Sequence, residues 1–274
     1  MSSIKTDFHI HTSLSTDGLS SMESMVEHGI RLGLTRLCFT EHMDYDNTYD
    51  KNPDGSDAFI VNMNDYLKRF RICKKRYENK IELLFGIELG LQEHLSDYYH
   101  TFIKKYPFDF VIGSSHLANG MDPYYEVFFE NRSVKEAYTS YFEAILKNVT
   151  IHNDFDVYGH IDYVVRYGRE SKEEFLYTDY ADILDSILKT IIEKGKGIEV
   201  NTSGFKYDIG GLHPHISILK RYKELGGEIL TIGSDAHETR HLAYKFDKAG
   251  SILRDCGFTH YTVFKDRKPE FLPL

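Results

Sequence analysis

The sequence contains no tryptophan and only three cysteines, Cys38, Cys73 and Cys256, far apart and without a CxxC spacing. That scarcity excludes the disulfide framework of small secreted domains, and it excludes a cysteine-based zinc ribbon. Proline is equally sparse, six in 274 residues, and no Pro-rich, Ser-rich or single-sign run interrupts the chain. Nothing therefore marks a linker, and a single domain spanning 1–274 is expected. No apolar stretch approaches the roughly 20 residues that cross a bilayer, and the opening MSSIKTDFHIHTS is too polar for a secretory signal. A cytoplasmic protein without a membrane partner is expected. Basic charge is in deficit, with 33 Lys plus Arg against 42 Asp plus Glu and a net charge of −9. That balance argues against a broad footprint on a nucleic-acid backbone. What is plentiful is core-forming material: 41% of residues are hydrophobic, including 20 Tyr and 18 Phe, which excludes a disordered chain.

Short apolar runs alternate with longer segments of helical periodicity, the pattern of repeated βα units. Seven runs read as buried parallel strands: Asp7 to His11, Arg36 to His42, Ile81 to Leu89, Phe108 to His116, Val157 to Val164, Gly197 to Thr202 and Glu228 to Asp235. Between them, Met22, Met25, Val26 and Ile30 form one helical stripe, and Ile183, Leu184, Ile187, Leu188 and Ile191 form another. Gly33, Gly195 and Gly226 mark helix ends, and Ser133 with Glu136 has the spacing of a capping box. Asp44 to Ala58, dense in Asp, Asn, Gly and Tyr, reads as a long loop after the second strand. At that end of a parallel barrel such a loop serves the site.

Nearly every expected strand delivers a His, Asp or Glu at its C-terminal end: His9 and His11, His42, Glu88, His116, His160, then Asp235 and His237. In a parallel α/β barrel those ends share one face, so distant residues converge on one cavity. His9 and His11 point the same way because strand side chains repeat every two residues. Imidazoles and carboxylates without thiolates suit zinc, manganese or iron, and the set exceeds what one tetrahedral ion can use. Several ions are implied, with Glu88 or Asp235 suited to bridge two of them and Asp17 a further oxygen donor. His28, His94, His100, His152, His241 and His260 lack that placement and are left outside the site.

The motifs DFHIHTSLSTDG, FTEHMD, GIELG, IGSSH, YGHIDY and IGSDAH, in this order across nearly the whole chain, resemble the PHP family, named for polymerase and histidinol phosphatase. GHIDY followed by an Arg and then NTSG looks like its histidinol-phosphatase branch. The resemblance implies a distorted (β/α)7 barrel, TIM-like, with up to three divalent metals at the C-terminal face. Carried over by position, the first metal takes His9, His11, Glu88 and Asp235. The second takes Glu88, His116 and His160, and the third Asp17, His42 and His237. Three carboxylates against three divalent ions leave a net positive centre that attracts a phosphomonoester, and coordinated water supplies a nucleophile at neutral pH. No Ser or Cys nucleophile is then needed, and Ser115-His116 is not expected to act as a dyad.

Glu88, Asp235 and His237 are the expected catalytic residues, the last two as proton relays. Arg166, Lys206 and His42 are expected to bind substrate, Arg166 as a guanidinium fork on phosphate. Histidinol phosphate also carries an ammonium and an imidazole, which favour an acidic or aromatic wall, with Glu41, Asp44, Asp162 and Asp208 as candidates. The rivals are a PHP phosphoesterase acting on nucleic acid, a protein phosphotyrosine phosphatase and a binding module that has lost turnover. The expected partner is a small phosphomonoester and not nucleic acid, and the expected state a monomer or small homo-oligomer.

Overall fold

The computed structural model describes residues 4–47, 49–168, 175–207 and 209–274. Each of the seven apolar runs contributes a parallel strand. These are β1 (Thr6–Asp7), β2 (Arg36–Phe39), β4 (Glu82–Gly90), β5 (Phe110–Ser114), β6 (Val157–Tyr158), β7 (Gly197–Asn201) and β8 (Leu230–Gly233), side by side in chain order. A two-residue strand, β3 (His42–Met43), pairs with β4 beyond the end of β2. The sheet closes on itself where the Phe8 N–H donates to the Ile232 carbonyl at 3.1 Å and the His11 N–H to that of Ala236 at 2.9 Å. The fold is thus a nearly closed parallel α/β barrel.

Among the described residues seven α-helices wrap the barrel: α1 (Met22–Leu32), α2 (Met63–Tyr77), α3 (Ser96–Ile103), α4 (Val134–Ile151), α5 (Ala181–Glu193), α6 (Ile216–Glu224) and α7 (Phe246–Asp255). The stripes read from the sequence face inward: Met22, Met25 and Val26 of α1 and Leu184, Ile187, Leu188 and Ile191 of α5 are buried. α4 opens with the expected reciprocal box between Ser133 and Glu136. α1 stops at Gly33, whose φ of 72° is the left-handed conformation that glycine adopts without steric cost. Among the described residues no helix is long and apolar enough to cross a membrane.

Three features differ from the expected strands. The first run pairs with β2 only through Thr6 and Asp7; from Phe8 onward its backbone turns to β8. The second run breaks after Phe39, because the Glu41 carboxylate is drawn towards the first loop, where it accepts the Thr12 N–H (3.0 Å) and the hydroxyls of Thr12 and Ser15 (both 2.6 Å). A C-terminal antiparallel hairpin, β9 (His260–Lys265) and β10 (Lys268–Pro273), was not anticipated. It covers the N-terminal ends of the barrel strands, where Arg267 Nε lies 2.5 Å from Asp156, Asp266 N–H donates to Asp109 and Arg36 pairs with Glu270. With that end covered, the opposite end is left for chemistry.

Candidate metal centre

The strand ends deliver their polar side chains to one point. Glu88 comes from within β4, His42 from β3, and His116, His160 and Asp235 each lie two residues past β5, β6 and β8. His9 and His11 follow β1 with the alternation that turns both imidazoles inward. His9 Nε2 and His11 Nε2 face each other at 2.9 Å, and Glu88 Oε2 lies 3.2 Å and 3.4 Å from them. Asp235 Oδ1 completes the group at 3.8 Å and 3.6 Å. Glu88 Oε1 meets His160 Nε2 at 3.0 Å and His116 Nε2 at 3.3 Å, while His42 Nδ1 approaches Oε2 at 3.1 Å. Asp17 Oδ2 lies 2.9 Å from His237 Nε2 and 3.6 Å from His42 Nε2.

The structure therefore brings all nine expected donors together. Among the described residues the donor atoms group as His9, His11 and Asp235 and as His9, Glu88 and His160. They also group as His11, His42 and His237 and as His42, Glu88 and His116. Glu88 is the hub, with both oxygens engaged and no exposure to solvent.

Second partners aim the rings. Glu199 Oε1 holds His9 Nδ1 at 2.5 Å, Asp44 Oδ1 holds His116 Nδ1 at 2.6 Å, and the Asp235 carbonyl holds His237 Nδ1 at 3.1 Å. Each bond occupies Nδ1 and leaves the Nε2 lone pair for the centre, the arrangement that orients metal-binding histidines. Glu199 was missed in the sequence, although a glutamate in the apolar run GIEVN is a visible anomaly. It also accepts the His160 N–H at 3.1 Å.

Burial alone would discharge this cluster, but mutual attraction outweighs it. Burial lowers the His9 pKa and Glu199, Glu88 and Asp235 raise it further, to well above the ordinary imidazole value. The converse holds at Glu88, where burial is overcome by His9 and His116 and the carboxyl is held well below its usual range. His11, among other imidazoles and buried, is pushed down. Lone pairs facing one another across about 3 Å, tied to buried carboxylates, are a ligand shell in need of cations.

Beside the cluster lies a cavity of about 390 Å³, within the range of small-molecule sites. Arg166 lines it, with its guanidinium 3.9 Å from the Tyr207 ring centroid, one nitrogen donating to Ser203 Oγ at 3.0 Å and Nε without a partner. Among the described residues no carboxylate pairs with it. Lys206 differs from expectation: it does not line the cavity, because its ammonium donates to the carbonyls of Ser234 (3.2 Å) and Asp235 (3.0 Å). Asp235 has a left-handed backbone, φ 52°, and Lys206 fastens that strained turn.

The acidic wall also differs. Glu41 is consumed by Thr12 and Ser15, and Asp162 by His213 Nδ1 (2.6 Å) and the His215 N–H (2.7 Å). Asp208 lies outside the described residues. Asp44 lines the cavity but serves His116, whereas Asp50 and Asp122, in loops without motifs, line it unanticipated. The expected loop after the second strand does reach the site, through Asp44, Asn47 and Asp50. Ser115 is turned away, bonded to Tyr158 Oη (2.6 Å) and Asn148 (2.9 Å), so no serine dyad forms with His116. None of the six histidines left outside the site lines the cavity.

Comparison with known proteins agrees with this geometry. The PHP domain model matches residues 7–203. The chain is 33% identical over 252 residues to the "Probable histidinol-phosphatase" of Clostridium acetobutylicum, covering 91% of this chain and 93% of that protein. It is 30% identical to the histidinol-phosphatase of Lactococcus lactis, covering 96% of each. A crystal structure of histidinol phosphate phosphatase from Lactococcus lactis, complexed with zinc, L-histidinol and phosphate, superposes with a TM-score of 0.87 at 29% identity, over 97% of this chain and 98% of that one. Barrel, strand-end donors and a family match extending over well more than half the sequence coincide, and the protein belongs to the PHP domain family.

Proposed function

We propose that this protein is a histidinol-phosphatase, a metal-dependent phosphomonoester hydrolase that converts L-histidinol phosphate to L-histidinol and phosphate in histidine biosynthesis. The observation that carries the reading is the junction of the donor cluster with a small cavity that offers Arg166 for phosphate and carboxylates and tyrosines for a cationic, aromatic remainder. A cavity of that size suits a small monoester better than a nucleic-acid strand or a peptide. Relatives at 30–33% identity over nearly the whole chain are named histidinol-phosphatase or probable histidinol-phosphatase, and a solved structure at 29% identity holds zinc, L-histidinol and phosphate.

The donor set fits divalent ions, with zinc favoured by that relative and manganese or iron equally suited to its ligand chemistry. Three ions per chain would occupy the sets built on His9, His11 and Asp235, on His116 and His160, and on Asp17, His42 and His237, with Glu88 shared by the first two. When bound, such ions polarise the phosphoryl group and make water nucleophilic at neutral pH. Arg166 binds phosphate oxygens, held flat by Tyr207. Asp235 and His237 stand at the cavity edge, where either can take a proton from water or return it to the departing alkoxide. Lys206 keeps Asp235 in place. The whole chain acts as one domain, in the cytoplasm.

Phosphate release from L-histidinol phosphate and from a phosphotyrosine peptide, beside nucleotide release from single-stranded DNA, tests the reading, with zinc supplied. L-Histidinol phosphate should be preferred by orders of magnitude; equal or better turnover of DNA or peptide overturns it. In the same assay, Arg166→Ala should raise KM by about 10- to 100-fold with a smaller change in kcat, the loss of a charge-assisted contact made before and during reaction. An unchanged KM and kcat would reduce Arg166 to packing.

A further inference from the structure

Asp122 follows β5 and lines the same cavity as His116 and Arg166, yet the residue is only 7% exposed. Its Oδ1 accepts the Tyr124 N–H at 2.8 Å, closing a turn, and among the described residues nothing donates to Oδ2. The other wall carboxylates are committed. Asp44 holds His116 Nδ1 at 2.6 Å, and Asp50 accepts the Tyr125 hydroxyl at 2.6 Å and the Asn47 amide at 3.2 Å. Among the described residues Asp122 also belongs to none of the donor groups that could hold a metal ion. A nearly buried carboxylate with a spare oxygen and, among the described residues, no directly paired cation is costly unless a ligand brings one. Burial pushes this carboxyl up to about 6, so it is poised to be fixed in its ionised form by a positive ligand.

We propose that Asp122 is a specificity-determining residue that binds the primary ammonium of the substrate, selecting amino-bearing phosphomonoesters over those that lack the group. This rests on the histidinol-phosphatase reading and names the residue that makes it selective. In L-histidinol phosphate the ammonium stands on the carbon next to the phosphate-bearing one. With phosphate at the donor cluster and Arg166, the ammonium cannot leave that end of the cavity. Asp122 lines this cavity together with His116 and Arg166. Tyr124, Tyr125, Tyr163 and Tyr167 line the same cavity and give the imidazole ring aromatic surface.

The test compares L-histidinol phosphate with its des-amino analogue, 3-(imidazol-4-yl)propyl phosphate, in the zinc-loaded protein. The wild type should prefer the amino substrate by about 10- to 100-fold in kcat/KM, the range of one charged hydrogen bond. Asp122→Asn keeps an oxygen for the Tyr124 N–H and removes the charge. It should bring that preference to within about threefold, through slower turnover of the amino substrate alone. Asp122→Ser, which also supports the turn, should do the same, so a single misfolded variant does not decide the matter. An equal fall on both substrates, or a preference that neither variant alters, overturns the assignment of Asp122. A wild type that is inert towards L-histidinol phosphate while hydrolysing other monoesters overturns the parent reading, and Asp122's role with it.

Discussion

Glu88→Ala should lower kcat by at least about 10³-fold while the barrel stays folded. One carboxylate reaches five imidazoles, those of His9, His11, His42, His116 and His160, at 3.0–3.4 Å. Removing it leaves those rings without their shared anion and removes the natural bridge between two ions. A loss on the order of 4 kcal/mol of charge stabilisation in the transition state corresponds to about three decades in rate. The barrel should survive because it does not depend on Glu88. The strand is held by its ladders to β2, β3 and β5, and buried Leu84, Phe85, Ile87 and Leu89 pack around it. Steady-state kinetics, metal content and thermal melting of the variant check this together. Retained activity would remove Glu88 from the centre.

The second large effect is the coupling of metal to protons. In the metal-free protein, burial lowers the pKa values of His9, His42 and His116, but facing carboxylates raise them above the ordinary imidazole value. Glu199 and Glu88 act on His9, Asp17 on His42, and Asp44 and Glu88 on His116, which reaches about 10. These rings are therefore charged at pH 7, whereas a coordinating imidazole must be neutral. Zinc binding should therefore release protons, and affinity should rise with pH from neutrality up to about 10, the value His116 reaches. Calorimetric titration in two buffers of different ionisation heat measures the release. Chelation should abolish activity and zinc should restore it. Metal binding with no proton release would mean that the ions bind elsewhere.

Much of this site was legible because its ligands obey the barrel's geometry. A polar residue at the end of an apolar strand is conspicuous, and parallel strands force such ends to one face. Eight of the nine expected donors were found by that rule, and Asp17 was added from the loop that follows the first strand; the structure places all nine close together. What escaped depended on loops and on partners distant in sequence. Asp50 and Asp122 sit in irregular segments whose path no periodicity fixes. Glu199 is buried by its bond to His9, 190 positions away. Lys206 looked like a phosphate ligand, but its ammonium is turned back onto the strained turn at Asp235. The C-terminal hairpin was invisible because its second strand, KPEFLP, is mostly exposed and has no apolar alternation.

The central claim is that imidazoles and carboxylates from separate strands hold divalent cations at one end of the barrel. Its most direct test is anomalous scattering at the zinc edge from crystals of the zinc-loaded protein. Peaks should appear within coordination distance of Glu88, with His9, His11 and Asp235 on one side and His116 and His160 on the other. A third is expected among Asp17, His42 and His237. Well-ordered side chains with no anomalous density among them would contradict the account.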